Sequence, residues 1–193
     1  MDCAMTGARP NLTIAIAAAL TLAVAAALMA SLLTAPASGA ASGCQRFGDS
    51  RPAQLTAKQA RGAVLCLVNK QRRSHGRGGL NRNAKLNRAA GRHSRTMANK
   101  NCFSHRCSGE RGLGGRLKWA GYLTGGLTSW AYGENIAWGR GSQGTPRTVV
   151  RRWMNSSGHR ANILSGTFKD FGAGFATRGR AAYYTLDFGY RRG

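Results

Sequence analysis

Three stretches of the chain place apolar residues at the spacing of an amphipathic helix. The first follows residues 56–59, which have the form of a helix capping box. The second extends from about residue 83 to 98, and the third begins at the cap and first-turn pair of residues 145–146. The predicted buried stripes are Ala60, Ala63, Val64, Leu67 and Val68, then Leu86, Ala89, Ala90, His93 and Met97, and then Val149, Val150 and Trp153.

Two segments near the C-terminus are enriched in aromatic and apolar residues. Residues 171–176 and 182–188 indicate strands separated by a basic turn at 177–180. The glycine density of residues 101–144 favours irregular loops with at most short helices. Helices followed by strands predict an α+β fold rather than a parallel βαβ sheet.

The N-terminus has the pattern of a secretion signal. Residues 12–35 are uncharged and apolar, and small residues follow, with cleavage near Ala37 or Ala40 expected. The run also reaches the roughly 20 residues that span a bilayer. The alternative is therefore an uncleaved membrane anchor that holds the domain at the outer face of the cytoplasmic membrane. We therefore expect a signal or anchor at residues 1–40, an extended lead-in at 41–55 and one extracellular domain at 56–193.

Four cysteines remain after the expected signal is removed, an even number in a compartment where disulfides persist. A local disulfide between Cys102 and Cys107 leaves Cys44 to pair with Cys66, although three pairings are possible. A lipoprotein-like reading, with Cys44 lipid-modified, would leave Cys66 without a partner. A site of four zinc thiolates is disfavoured because the chain has no Cys-x-x-Cys pair.

Basic residues dominate the composition and favour an anionic partner. The chain has 29 Lys plus Arg against 6 Asp plus Glu, and its net charge is +23. The expected signal contains one acid and one base, so the mature part keeps the full charge. With 42% hydrophobic residues the chain is too apolar for a wholly disordered tail. The shortage of acids means that any chemistry needing a carboxylate has few candidates.

The candidate chemistry centres on Glu134, an acid surrounded by apolar and aromatic residues. Burying a carboxylate is costly unless it is paired, and a histidine is the natural partner. His105 lies inside the small loop between Cys102 and Cys107, while Gly158 is expected to end a short helix and present His159. His93 is expected to be a hydrogen-bonded residue of the core or a site wall, and His75 to be solvated.

One further motif is not supported by the sequence around it. Residues 139–144 match the Gly-x-Gly-x-x-Gly fingerprint of dinucleotide-binding proteins. No acidic residue lies about 20 positions further on, and no βαβ unit surrounds the motif. We interpret these residues as a flexible glycine loop.

Several motifs in order along residues 60–190 give the chain a specific resemblance. It is similar to the secreted CAP superfamily, the relatives of cysteine-rich secretory proteins, insect venom antigens and plant pathogenesis-related proteins, and most closely to the shorter bacterial branch. The motifs that carry the resemblance are Leu67-Val68-Asn69, His93-Ser94, Phe103-Ser104-His105, Arg116-x-x-x-Ala120-Gly121-Tyr122, Gly133-Glu134-Asn135, Gly158-His159-Arg160, Phe171-Gly172 and Asp187-Phe188-Gly189.

The resemblance implies an α-β-α sandwich with a central antiparallel sheet. It also implies a cleft with two histidines and two acids, which bind zinc in some members. His105 and His159 match the histidines, and Glu134 matches one acid. The second acid is missing, because Ser156 stands at its place three positions after Trp153. His105 and His159 are thus the possible zinc ligands.

Three functions compete, and the sequence leaves open whether the protein is an enzyme. The first is a secreted, non-enzymatic module that binds an anionic envelope polymer, a lipid or a partner protein. The second is a metal-assisted hydrolase that uses His105, Glu134 and His159. The third, a nucleic-acid binder or secreted nuclease, rests on charge alone and lacks an aromatic-basic motif. We favour the first because of the charge and because fold-level analogy is weak support for an activity.

Overall fold

The computed structural model describes residues 42–193, without the side chains of residues 42, 43 and 45. The expected signal or anchor at residues 1–40 lies outside this part. The α-helices are α1 Ser42–Phe47, α2 Ala57–Ser74, α3 Ala84–Lys100, α4 Leu113–Trp119, α5 Pro146–Asn155 and α6 Ser157–Leu164. The strands are β1 Asn81–Arg82, β2 Ser129–Arg140, β3 Asp170–Arg178 and β4 Ala181–Arg192, and short 3-10 turns occupy Pro52–Gln54 and Gly141–Gly144.

The strands form one sheet in the order β1-β3-β4-β2. β4 pairs antiparallel with both β2 and β3, and the two-residue β1 adds a parallel pairing at the outer edge of β3. In this register Glu134 of β2 lies opposite Asp187 of β4. The pairing of β4 with the edge strand β2 thus places two acids side by side.

Helices cover both faces of this sheet, as alternate residues of β4 show. Leu186 belongs to the core cluster that contains Val64 of α2 and Trp153 of α5. Tyr183, which points to the other face, belongs to a cluster with Met97 of α3. This arrangement confirms the α-β-α sandwich.

Two glycines of β3 allow α3 to approach the sheet closely. A Cβ atom on Gly172 would lie 2.2 Å from the backbone N of Asn87, and one on Gly174 would lie 2.1 Å from the backbone O of Ala90. The Asn87 Oδ1 accepts a 2.9 Å hydrogen bond from the backbone N–H of Ala173 between them. The absence of side chains at 172 and 174 therefore sets the spacing between helix and strand.

The predicted helices are confirmed, and their capping follows the sequence pattern. Thr56 caps α2 by accepting a hydrogen bond from the backbone N–H of Gln59, whose side chain accepts one from the backbone N–H of Thr56. Thr145 caps α5, with Pro146 at its first position. The predicted strands at 171–176 and 182–188 are also confirmed, and both extend further than predicted.

The prediction of irregular loops at residues 101–144 was wrong for β2, a strand of 12 residues. This strand is buried at residues 134–137 and mostly exposed at its two ends, so it lacks the alternation that marks a half-buried strand. Its glycines serve close approach rather than a turn, since a Cβ atom on Gly139 would lie 2.3 Å from the backbone O of Gln143. The lead-in was also predicted incorrectly, because α1 and a 3-10 turn lie within it.

Both predicted disulfides are present. Cys44 is joined to Cys66, which links α1 to α2, with Cα atoms 5.5 Å apart. Cys102 is joined to Cys107, with Cα atoms 6.1 Å apart, and this bond closes the loop that carries His105. Within residues 42–193, we find no helix that is long and apolar enough to span a membrane.

Candidate functional site

Glu134 lies in the buried middle of β2, where its side chain is 2% exposed. Its Oε1 lies 2.8 Å from Nδ1 of His105, and its Oε2 accepts a hydrogen bond from Nη2 of Arg116. The histidine partner expected from the sequence is therefore present. The arginine had not been foreseen, and it supplies the charge that makes burial of this carboxylate tolerable.

Arg116, on α4, also fixes the loop that carries His105. Its Nη1 donates to the backbone O of His105 at 2.8 Å and to that of Arg111 at 3.3 Å. The guanidinium thus orients the carboxylate and the imidazole loop together. The His105 side chain remains 58% exposed, so solvent or a ligand can reach it.

The two partners shift each other's pKa in the direction of an ion pair. The hydrogen bond to Glu134 raises the pKa of His105, although partial burial opposes this. Burial alone would raise the pKa of Glu134, but the hydrogen bond from His105 and the charge of Arg116 outweigh it, so the pKa is lowered. A carboxylate with a lowered pKa is a weaker proton acceptor, which disfavours Glu134 as a general base.

A second buried pair lies behind the first. Nδ1 of His93 lies 2.8 Å from Oε2 of Glu110, and Nε2 of His93 lies 3.9 Å from Oε2 of Glu134. The His93 side chain is fully buried, in agreement with its predicted place in the core or a site wall. Burial lowers its pKa, partly offset by the nearby charge of Glu134, so we infer that His93 is neutral at pH 7.

Asp187 completes the cluster on the strand next to Glu134. Its side chain is fully buried, and neither oxygen has a hydrogen-bond donor from another residue within residues 42–193. Burial raises its pKa well above the ordinary value, and the adjacent negative charge of Glu134 raises it further. We infer that Asp187 keeps its proton to a higher pH than an ordinary aspartate, and the Glu134 carboxylate opposite can accept a hydrogen bond from it.

His159 lies in the first turn of α6, so the expected helix end at Gly158 was wrong. Nδ2 of Asn135 donates to the backbone O of His159 at 3.0 Å, and Nδ2 of Asn162 donates to Oδ1 of Asn135 at 2.9 Å. These bonds attach α6 to the Gly-Glu-Asn segment of β2. Burial lowers the pKa of His159, and the positive charges of His105 and Arg152 add to the effect.

His105 and Glu134 are joined by a hydrogen bond, whereas the His159 side chain is bonded to neither of them. No hydrogen bond or ion pair joins the His159 side chain to any group in the described part of the chain, although its pKa responds to the charge of His105. Ser156, at the place of the missing acid, ends α5 and precedes α6. The three predicted residues thus share a neighbourhood rather than a hydrogen-bonded triad.

The fit to a metal ion is poor around Glu134. Both carboxylate oxygens are occupied by His105 and Arg116, and the guanidinium would repel a cation. Among residues 42–193, no group of three His, Cys, Asp or Glu side chains is arranged to hold an ion. A zinc ion on His105 and His159 stays a prediction, and it would need ligands beyond the protein.

Sequence reasoning missed three members of this cluster: Glu110, Arg116 and Asp187. The one signal that could have pointed to Glu110 and Asp187 is the rarity of acids, because each of the few carboxylates in this chain is a candidate for a specific role. Arg116 belongs to the motif that ends in Ala120-Gly121-Tyr122, but that resemblance assigned no role to its side chain.

Comparison with known families settles the ancestry of this fold. The profile of the cysteine-rich secretory protein family, CAP, matches residues 65–188. The chain belongs to the CAP family. The uncharacterized protein YkwD of Bacillus subtilis (strain 168) is 34% identical to this CAP chain over 130 residues, which are 67% of the chain and 47% of YkwD.

Solved structures agree with this membership. An extracellular protein containing a SCP domain from Bacillus anthracis str. Ames is 28% identical with a TM-score of 0.58, covering 68% of this chain and 40% of that one. An outer surface protein from Borrelia burgdorferi shares the fold, with a TM-score of 0.61 at 16% identity. The match covers 72% of this chain and 97% of that one. The chain spans less than half the length of the two Bacillus relatives.

Proposed function

We propose that this CAP protein is a secreted, non-enzymatic module that binds an anionic envelope polymer or lipid. The observation that carries the proposal is where the acids lie. Glu110, Glu134 and Asp187 are buried in one cluster, whereas only Asp49 has a largely exposed carboxylate within residues 42–193. The acids therefore do little to neutralise the basic surface, and the whole molecule attracts anions.

Secretion is part of this proposal. The two disulfides indicate an oxidising compartment, and one similar structure is of an extracellular protein. The apolar run at residues 12–35 supplies an export signal. A partner outside the cytoplasm is then an envelope polymer or lipid rather than nucleic acid.

The cleft beside His105 is the proposed contact point for a ligand. The imidazole is exposed and, with its raised pKa, carries more positive charge near neutral pH than an ordinary histidine. An anionic group of the ligand can therefore accept a hydrogen bond from the charged His105 ring, which Glu134 holds in place. His159 lies near enough for its pKa to respond to the same charge.

Retention of the purified protein on vesicles and on envelope polymer tests the proposal. We expect retention on vesicles with about one third phosphatidylglycerol and on an anionic cell-wall fraction, but not on pure phosphatidylcholine. Equal retention on neutral and anionic vesicles would contradict it. Mutation of His105 to Ala should weaken retention, whereas mutation of His75, which lies on the surface in a polar turn, to Ala should have less effect.

The alternative of a metal-assisted hydrolase makes a different prediction. It needs an ion on His105 and His159, with Glu134 free to accept a proton. Zinc content of the purified protein, compared with that of the His105→Ala variant, separates the two. We expect substoichiometric zinc in both proteins, whereas one zinc per chain that is lost in the variant would favour the hydrolase.

A further inference from the structure

A cavity of about 480 Å³ lies between α3 and α4, and neither His105 nor His159 lines it. α3 contributes Arg92, Thr96 and Lys100, which lie on one face because they are four residues apart. α4 contributes Arg116 and Trp119, and the loop at residues 109–111 also lines the cavity. Its size falls within the range of sites for small organic ligands.

The rim of this cavity is strongly cationic. Arg92, Lys100 and Arg111 are exposed, and none forms an ion pair with any acid in residues 42–193. The Arg92 guanidinium lies 4.3 Å from the centre of the Trp119 ring, and Nζ of Lys100 donates to the backbone O of Ser108 at 2.6 Å. Two of the three cations are therefore held in position without being neutralised.

Two buried groups of the lining lack hydrogen-bond partners. Nε of Arg116, a donor, and Oε1 of Glu110, an acceptor, have no partner within the described residues. Arg116 is 2% exposed and its other nitrogens bind Glu134 and two backbone oxygens. An unsatisfied buried polar group costs about 1–3 kcal/mol and is uncommon. Both atoms are closed off from solvent, so a small shift of the lining would let a hydroxyl group, which both accepts and donates, satisfy them.

We propose that this cavity binds a phosphate ester that carries hydroxyl groups, such as a glycerol phosphate unit. The guanidinium groups of Arg92 and Arg111 match the geometry of phosphate oxygens, and Lys100 adds a third charge. A ligand hydroxyl lies next to the Glu110 and Arg116 side chains, which also line the cavity, and reaches their unpaired atoms when the lining shifts. The same chemistry occurs in lipid headgroups and in polyol phosphate polymers, and the site does not depend on whether His105 binds a ligand.

Calorimetric titration of the purified protein with glycerol 3-phosphate tests the site. We expect binding by the wild type, at least tenfold weaker binding by an Arg92→Gln, Arg111→Gln variant, and no binding of glycerol itself. A control variant, Arg151→Gln, Arg180→Gln, removes the same charge at exposed positions elsewhere and should weaken binding less than twofold. Equal weakening by both variants, or absence of binding by the wild type, would overturn the proposal.

The indole N–H signals in an NMR titration locate the ligand. Glycerol 3-phosphate should shift the Trp119 signal and leave that of Trp138, an exposed tryptophan on β2, unchanged. Equal shifts of both signals would overturn the assignment to this cavity. Displacement by phosphatidylglycerol vesicles indicates a lipid headgroup as the natural source, and displacement by poly(glycerol phosphate) alone indicates a polymer.

This test fails in a different way from the test of the proposed function. If diffuse charge alone drives envelope binding, the two double variants lose retention on anionic vesicles equally. The phosphate-ester site predicts that they differ in binding of glycerol 3-phosphate, whatever happens on vesicles.

Discussion

Asp187 is a buried acid of β4, and no other residue in the described part of the chain donates a hydrogen bond to it. Because its pKa is raised, the folded chain holds a proton that the unfolded chain releases above its ordinary value of 3.8. The stability of the protein therefore decreases as pH rises from that value towards the folded pKa. We expect Asp187→Asn, which is neutral at every pH and can donate to Glu134, to raise the free energy of unfolding at pH 7 by about 1–3 kcal/mol.

Urea unfolding at pH 4 and pH 7 checks this expectation. The gain from Asp187→Asn should be smaller at pH 4, where less of the unfolded chain has released its proton. Asp49→Asn is the matched control, because it removes an exposed acid that pairs with Arg147, and it should slightly lower stability. A loss of stability in Asp187→Asn at pH 7 would mean that the charged form is the native one.

Glu134 is the residue that balances the buried charge of Arg116. Glu134→Gln leaves that guanidinium without its nearest acid, and we expect a loss of about 3 kcal/mol in the free energy of unfolding at pH 7. Because the pKa of Glu134 is lowered from its ordinary value of 4.5, the ionised carboxylate stabilises the folded protein above that pH. This stabilisation is lost below pH 4.5, as pH falls through the pKa of the folded state. The difference between wild type and variant should therefore shrink in acid.

The His105 ring gives a second readout of the same substitution. Its raised pKa, measured by NMR, should return towards 6.5 in Glu134→Gln, because the largest cause of the shift is the hydrogen bond to this carboxylate. An unchanged His105 pKa in a folded variant would show that the pair does not form in solution.

At this scale the sequence was informative only where a residue stands out by its own surroundings. Glu134 could be selected as a rare acid among aromatic residues, and its need for a partner follows from the cost of burial. Asp187 and Arg116 could not be assigned, since their roles depend on the pairing of β2 with β4 and on the placement of α4.

At the scale of the element, contact between α3 and β3 depends on glycine. A Cβ atom at position 174 would lie 2.1 Å from a backbone oxygen of α3, and backbone atoms cannot move aside as a flexible side chain can. We expect Gly174→Ala to lower the free energy of unfolding by about 1–3 kcal/mol or more, measured by chemical denaturation.

Gly158→Ala is the control for this substitution. Gly158 lies in α6, where an added Cβ atom meets nothing within 4 Å, so alanine should be neutral or raise stability by about 0.5–1 kcal/mol. If Gly174→Ala were as stable as Gly158→Ala, the close approach of α3 to β3 would be wrong.

The elements that could be predicted are those with a continuous stripe and a cap. α2 and α5 have both, and each begins where the sequence indicates. β2 could not be predicted because it is an edge strand with exposed aromatic ends and glycines that fit close neighbours. The two residues of β1 carry no pattern of their own, and only the edge of β3 makes them a strand.

At the scale of the whole molecule, the arrangement of charge is the feature that links fold to function. This CAP chain buries three acids in one cluster with Arg116 and His93, so most of the +23 charge lies on the surface. The sequence gives the total charge but cannot show where the acids lie. The contrast between a buried acidic cluster and a basic exterior comes from the structure.

Binding to anionic vesicles across a salt series tests this account most directly. Because long-range attraction between the basic surface and the vesicle is screened by salt, the apparent dissociation constant should rise by roughly tenfold or more between 50 and 300 mM NaCl. Asp49→Asn, which removes one exposed negative charge, should bind slightly more tightly at every salt concentration. A dissociation constant that does not change with salt would contradict an anionic partner recognised by charge.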